Sequence, residues 1–98
     1  MSSAQRNQYV PDRVTPPGEI LLEKLEEIGM AQADLADRTG RTRKSVNEII
    51  KGKAPISPEI ALQLEIVLAI PARFWANADG QYREFLAREE QRRRLGNN

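Results

Sequence analysis

The side chains best suited to chemistry are cationic and amide groups gathered between residues 41 and 53. Arg41, Arg43, Lys44, Lys51 and Lys53 stand there against a single acid, Glu48. Just upstream, Glu19 to Arg38 carries six acids (Glu19, Glu23, Glu26, Glu27, Asp34, Asp37) against two bases, Lys24 and Arg38. The net charge of +1 over 98 residues therefore conceals a sorted distribution. One basic sector on a nearly neutral chain points to a localised anionic partner rather than to a nonspecific polycation; a solvated face is the alternative, and composition alone does not choose. Asn47 and Gln32 add amides that both donate and accept, and Thr42 and Ser45 add hydroxyls. Arginine pairs bidentately with guanine and asparagine with adenine, so the set suits the base edges and phosphates of duplex DNA.

Other chemistries lack their groups. The chain has no cysteine and no histidine. That removes disulfides, thiolate nucleophiles, the usual zinc ligand sets and a histidine general base. It also fits a reducing compartment. Asp34 with Asp37, or Glu26 with Glu27, are the carboxylate pairs on which a metal-dependent enzyme could be built. They fall on amphipathic helix surfaces with no phosphate loop nearby, so solvated helix charge is the expected role. No enzymatic activity, metal or cofactor is expected. A purely structural interaction module using the last helix is a further alternative, which DNA-binding assays would discriminate. No apolar run reaches the length of a membrane span. The N-terminal segment lacks the apolar core of a secretory signal. A cytoplasmic location is the expectation.

Presenting these groups to DNA requires short helices that approach closely across a tight turn. Residues 1–15 read as a flexible arm, 16–70 as a helix-turn-helix domain, and 71–98 as a C-terminal helix and tail that pack on the domain or on a dimer interface. Thr15 is a candidate cap for helix 1, with proline in its first turn. Leu21, Leu25 and Ile28 share one face of that helix, and Gly29 ends it. Helix 2 runs from about Ala31 to Arg38, with Leu35 and Ala36 inward, and ends at Gly40. Thr42 caps helix 3, about Arg43 to Lys51, which buries Val46 and Ile49, with Ile50 a third candidate. Gly52 terminates it. Ser57-Pro58-Glu59 starts helix 4, whose inward stripe is Ala61, Leu64 and Leu68 and which Pro71 breaks near Ile70. The last helix, about Ala72 to Arg92, carries Trp75, Ala78, Tyr82, Phe85 and Leu86, with a possible break at Gly80. The Arg92-Arg93-Arg94 tail reads as loose.

The stretch from Gln32 to Ile50 meets the demands of a helix-turn-helix together. Ala36 allows close helix approach, Gly40 a tight reversal, and Val46 and Ile49 seat the second helix on the first. Its opposite face stays polar. Each feature alone is common; the conjunction is the signal. The residues from Gly29 to Lys53 resemble the lambda-repressor and Cro class of DNA-binding domains. A longer resemblance, from about Thr15 to Leu86, is to the HigA-type antitoxins of bacterial toxin–antitoxin pairs. It is carried by Pro17-Gly18-Glu19-Ile20-Leu21, by Arg43 to Ile50 with Gly52-Lys53, and by Ile56, Pro58, Ala61, Leu64 and Phe74-Trp75. This resemblance implies an all-α, five-helix lambda-repressor-like fold and a homodimer. It further implies repression of the protein's own operon and neutralisation of a HigB-like toxin that cleaves messenger RNA. The Glu89-Glu90 pair and the triple arginine depart from the family pattern. A stand-alone helix-turn-helix regulator without a toxin is the alternative.

Roles follow from position. Thr42, Arg43, Lys44 and Asn47 are the candidates for base edges, because the start of a recognition helix enters the major groove. Arg41, Ser45, Lys51 and Lys53 are candidates for phosphate, with Ser45 also able to reach a base and Lys51 also a favourable charge at a helix end. Gln32 lies where helix 2 begins, a favourable place for a phosphate. The family resemblance makes it a backbone clamp; a plain helix-start glutamine is the alternative. Glu48 either accepts from cytosine or, the favoured reading, pairs with Lys44 or Lys51. Phe74 and Trp75 are expected in the core, with a binding surface as the alternative. Leu62 and Ile66 lie off the inward stripe of helix 4, facing a second subunit or covered by the last helix. The arm or the acidic face of helix 1 is the expected surface for a basic toxin.

Overall fold

The structure, a computed structural model, describes residues 14–96. Most of the expected arm thus lies outside the described residues. Five helices and no strand occur among those described: α1 Pro17–Ile28, α2 Gln32–Thr39, α3 Arg43–Ile50, α4 Pro58–Leu68 and α5 Ala72–Gly96. The expected five-helix, all-α architecture is the one observed.

Two helix starts follow their sequence signals. The Thr42 hydroxyl accepts from the Ser45 N–H at 3.0 Å, and the Ser57 hydroxyl accepts from Ile60 N–H at 3.2 Å. These bonds satisfy donors that a helix start otherwise leaves open. Helix α1 differs. Its N-cap is Pro16, without a side-chain cap, and Thr15 does not serve. Pro17 brings no N–H to be capped, and Glu19 N–H is already satisfied by the Pro16 carbonyl at 3.0 Å.

The core gathers Leu21 and Leu25 from α1, Leu35 and Ala36 from α2, and Val46 and Ile49 from α3. Ile56, Ile60, Ala61, Leu64 and Leu68 join them, and Trp75 closes it without measurable exposure. Apolar burial of this kind is the main stabilising contribution, about 1.5–3 kcal/mol for each large aliphatic side chain. Helix α3 packs on α1 and α2, α4 on α2 and α5, and α5 reaches back to α1. Gly18 sets the closest of these approaches. A Cβ there would collide with the carbonyl oxygens of Ile49 and Ile50 at the end of α3.

Several expectations need correction. Ile28 is 46% exposed rather than buried. It occupies the last position of α1, and sharing a face with Leu21 and Leu25 does not guarantee a neighbour at that end. Helix α4 stops at Leu68, before Ile70, because Ala69 turns left-handed at φ 61°. Gly80 does not interrupt α5, which is continuous for 25 residues. The triple arginine is helical too, braced by Arg92–Glu89, Arg93–Glu90 and Arg94–Glu90 pairs one turn apart. Phe74 is 41% exposed while its neighbour Trp75 is buried, the rings meeting edge to face at 5.2 Å. Adjacent helical positions point about 100° apart, and α5 turns Trp75 fully into the core while Phe74 lies at its edge. Leu86 is likewise partly exposed.

Candidate nucleic-acid interface

The turn between α2 and α3 determines how the polar groups are presented. Gly40 takes φ 68°, a left-handed conformation that a Cβ would strain. Its reversal is closed by Gly40 N–H to Asp37 O at 3.3 Å and Arg41 N–H to Ala36 O at 2.9 Å. Thr39 is buried beneath it, its hydroxyl donating to Leu35 O at 2.7 Å. Chain direction then changes within two residues, and Thr42 starts α3.

With Val46 and Ile49 buried, the opposite side of α3 is set by geometry. Thr42, Arg43 and Lys44 are exposed at its start; Ser45 and Asn47 are half-buried beside them. Lys51 and Lys53 are exposed beyond its end. A row of cations and hydroxyls at a helix N-terminus, with amides behind it, can meet both base edges and phosphate oxygens.

Gln32 joins this set directly. Asn47 Nδ2 donates to Gln32 Oε1 at 3.3 Å, bridging the first residue of α2 to the middle of α3. The bond fixes one amide against the other. It leaves the Gln32 amino group able to donate to a phosphate while the Asn47 carbonyl oxygen remains able to accept.

Arg41 is placed differently from the other cations. Its Nε donates to Gln63 Oε1 on α4 at 2.9 Å, and its terminal nitrogen lies 3.9 Å from Glu59. Its stem lines the core beside Val46, Ile60 and Leu64. Arginine commonly covers apolar surface this way while its head stays polar. Sequence reasoning missed Gln63 and Glu59; they lie on a separate helix, and nothing local signals the pairing. Glu48 pairs with neither Lys44 nor Lys51 among the described residues. Its backbone carbonyl instead accepts from Lys53 N–H at 2.9 Å and Ala54 N–H at 3.2 Å, folding the chain back at the end of α3.

Two short helices locked across a left-handed turn, with a polar face on the second, define a helix-turn-helix DNA-binding regulator of the lambda-repressor and Cro type. The chain belongs to the helix-turn-helix family, whose pattern matches residues 21–75. It is 28% identical over 61 residues to the uncharacterised HTH-type transcriptional regulator YddM of Escherichia coli K12. That match spans 62% of this chain and 65% of the relative's length. Among solved structures it is similar to the Pseudomonas aeruginosa antitoxin HigA with the higBA promoter. There the TM-score is 0.77 at 30% identity, over 85% of this chain and 91% of that one. An addiction-module antidote protein of the HigA family from Coxiella burnetii gives 0.77 at 26% identity, over 88% and 95% of the two chains. The resemblance to HigA-type antitoxins drawn from the sequence thus extends to the fold.

Proposed function

We propose that the chain is a sequence-specific repressor of its own operon and the antitoxin of a type II toxin–antitoxin pair, acting in the bacterial cytoplasm. The observation that carries the DNA reading is the exposed start of α3, with Asn47 aligned by Gln32. Thr42, Arg43, Lys44 and Asn47 read base edges. Ser45, Lys51, Lys53 and the Gln32 amide hold phosphates. Arg41 reaches a phosphate only by exchanging Glu59, and in part Gln63, for it.

The antitoxin reading is supported by likeness to structures named as HigA-family antitoxins over most of the chain. The partner it implies is a HigB-like mRNA endonuclease. The acidic face of α1 is the surface on this chain suited to a basic enzyme. A homodimer places two recognition helices on one duplex, doubling the sequence read. Leu62 and Ile66, one turn apart on α4 and 57% and 82% exposed, form the apolar surface for it.

Two measurements test this. Arg43→Ala and Asn47→Ala should each reduce the preference for promoter over random DNA by about 1–3 kcal/mol. An unchanged preference would place the reading face elsewhere. Expression with the adjacent genes should yield a complex with a small basic ribonuclease; recovery of this chain alone would leave a stand-alone regulator.

A further inference from the structure

The turn that carries Lys53 is held from the far end of the fold. Arg83, in the fourth turn of α5, donates from one terminal nitrogen to Gly52 O at 3.2 Å and from the other to Ala54 O at 3.1 Å. These two carbonyls belong to the residues on either side of Lys53. Asp79, one turn earlier and 7% exposed, stands 3.4 Å from Arg83 Nε. That contact is an ion pair without hydrogen-bond alignment. The Tyr82 ring lies 5.4 Å from the guanidinium carbon and packs at the Cβ side of Gly52. Lys53 therefore has both neighbouring carbonyls bound and its own N–H tied to Glu48, while its side chain is exposed.

An ion pair with one buried member is weak evidence for stability, because desolvation offsets much of the attraction. Its geometry here suits another purpose. A planar guanidinium spanning two carbonyls fixes a short turn as no single-point cation can. A lysine whose backbone is already fixed loses less freedom when it meets a phosphate.

We infer that Arg83, ion-paired with Asp79, is a positioning residue for DNA binding: it holds the turn after α3 so that Lys53 meets the backbone of the duplex that α3 reads. This rests on the DNA reading above. The test is a salt titration of promoter-DNA binding by the full chain. Wild type, Lys53→Ala, Arg83→Gln and the double variant are compared, with thermal melts confirming folded protein. Lys53→Ala should lower the slope of log affinity against log salt by about one. Arg83→Gln should lower it equally, and the double variant no further than either. Additive losses, or a wild-type slope in Arg83→Gln, would overturn the inference.

Arg83→Lys separates positioning from a direct phosphate contact. It keeps the charge but cannot span both carbonyls, so its slope should fall as well; a fully retained slope overturns the positioning role. If Arg83→Gln is unfolded at the assay temperature, Asp79→Asn replaces it. That variant should weaken binding without adding to the loss from Lys53→Ala, and a wild-type slope again overturns the inference. A loss at Lys53 with none at Arg83 sinks this inference alone. Wild-type protein that ignores duplex DNA sinks the DNA reading with it.

Discussion

Two arginines two positions apart do opposite work. Arg43 is exposed at the start of α3, whereas the Arg41 side chain is 24% exposed and bound to Gln63. Arg41→Ala should therefore lower stability by about 1–2 kcal/mol, read as a lower urea midpoint, since it removes a charge-assisted bond and the stem that covers the core. Arg43→Ala should leave the midpoint within about 0.5 kcal/mol of wild type, as exposed substitutions generally do. Equal effects from the two would contradict the placement of Arg41. The sequence assigned Arg43 to base edges and Arg41 to phosphate, but gave no sign that Arg41 is tied to α4. Arg41 finds its partner 22 residues later, and only the packing of α4 against the turn brings the two together.

Among the elements, capping and turn chemistry were legible because they act over three or four residues. Thr42, Ser57 and Gly40 each do what their types allow. Less legible were features decided by how far neighbouring helices extend. Ile28 has the right spacing but sits at the end of α1, and α5 runs through Gly80 despite its helix cost. The contact between α1 and α3 was also hidden. Gly18 stands in the sequence among the residues that carry the family resemblance, yet its missing side chain is what lets α1 approach the last carbonyls of α3. Gly18→Ala should push these helices apart and lower stability by about 1–3 kcal/mol. Promoter affinity should fall further than the stability loss alone explains, because α3 itself is displaced. A chemical melt and a binding titration on the same variant check both parts.

For the whole molecule, Leu62 and Ile66 form an exposed apolar pair one turn apart on α4, the surface proposed above for a second copy. Ile66→Glu combined with Leu62→Asp should give a folded monomer by sedimentation and circular dichroism, with promoter affinity at least tenfold weaker. A dimer that survives both changes would move the proposed subunit interface to another face. The helix α5 divides the molecule in a second way. Trp75 and Asp79 are its buried residues, and from Leu86 to Gly96 it meets mainly solvent and its own ion pairs. Such pairs contribute only about 0.3–0.5 kcal/mol each. Backbone amides there should exchange with deuterium through local opening, orders of magnitude faster than those around Trp75, whose protection follows global unfolding. The chain would then hold two tiers of stability along one uninterrupted helix, and a protease could trim the outer tier while the inner one stays intact.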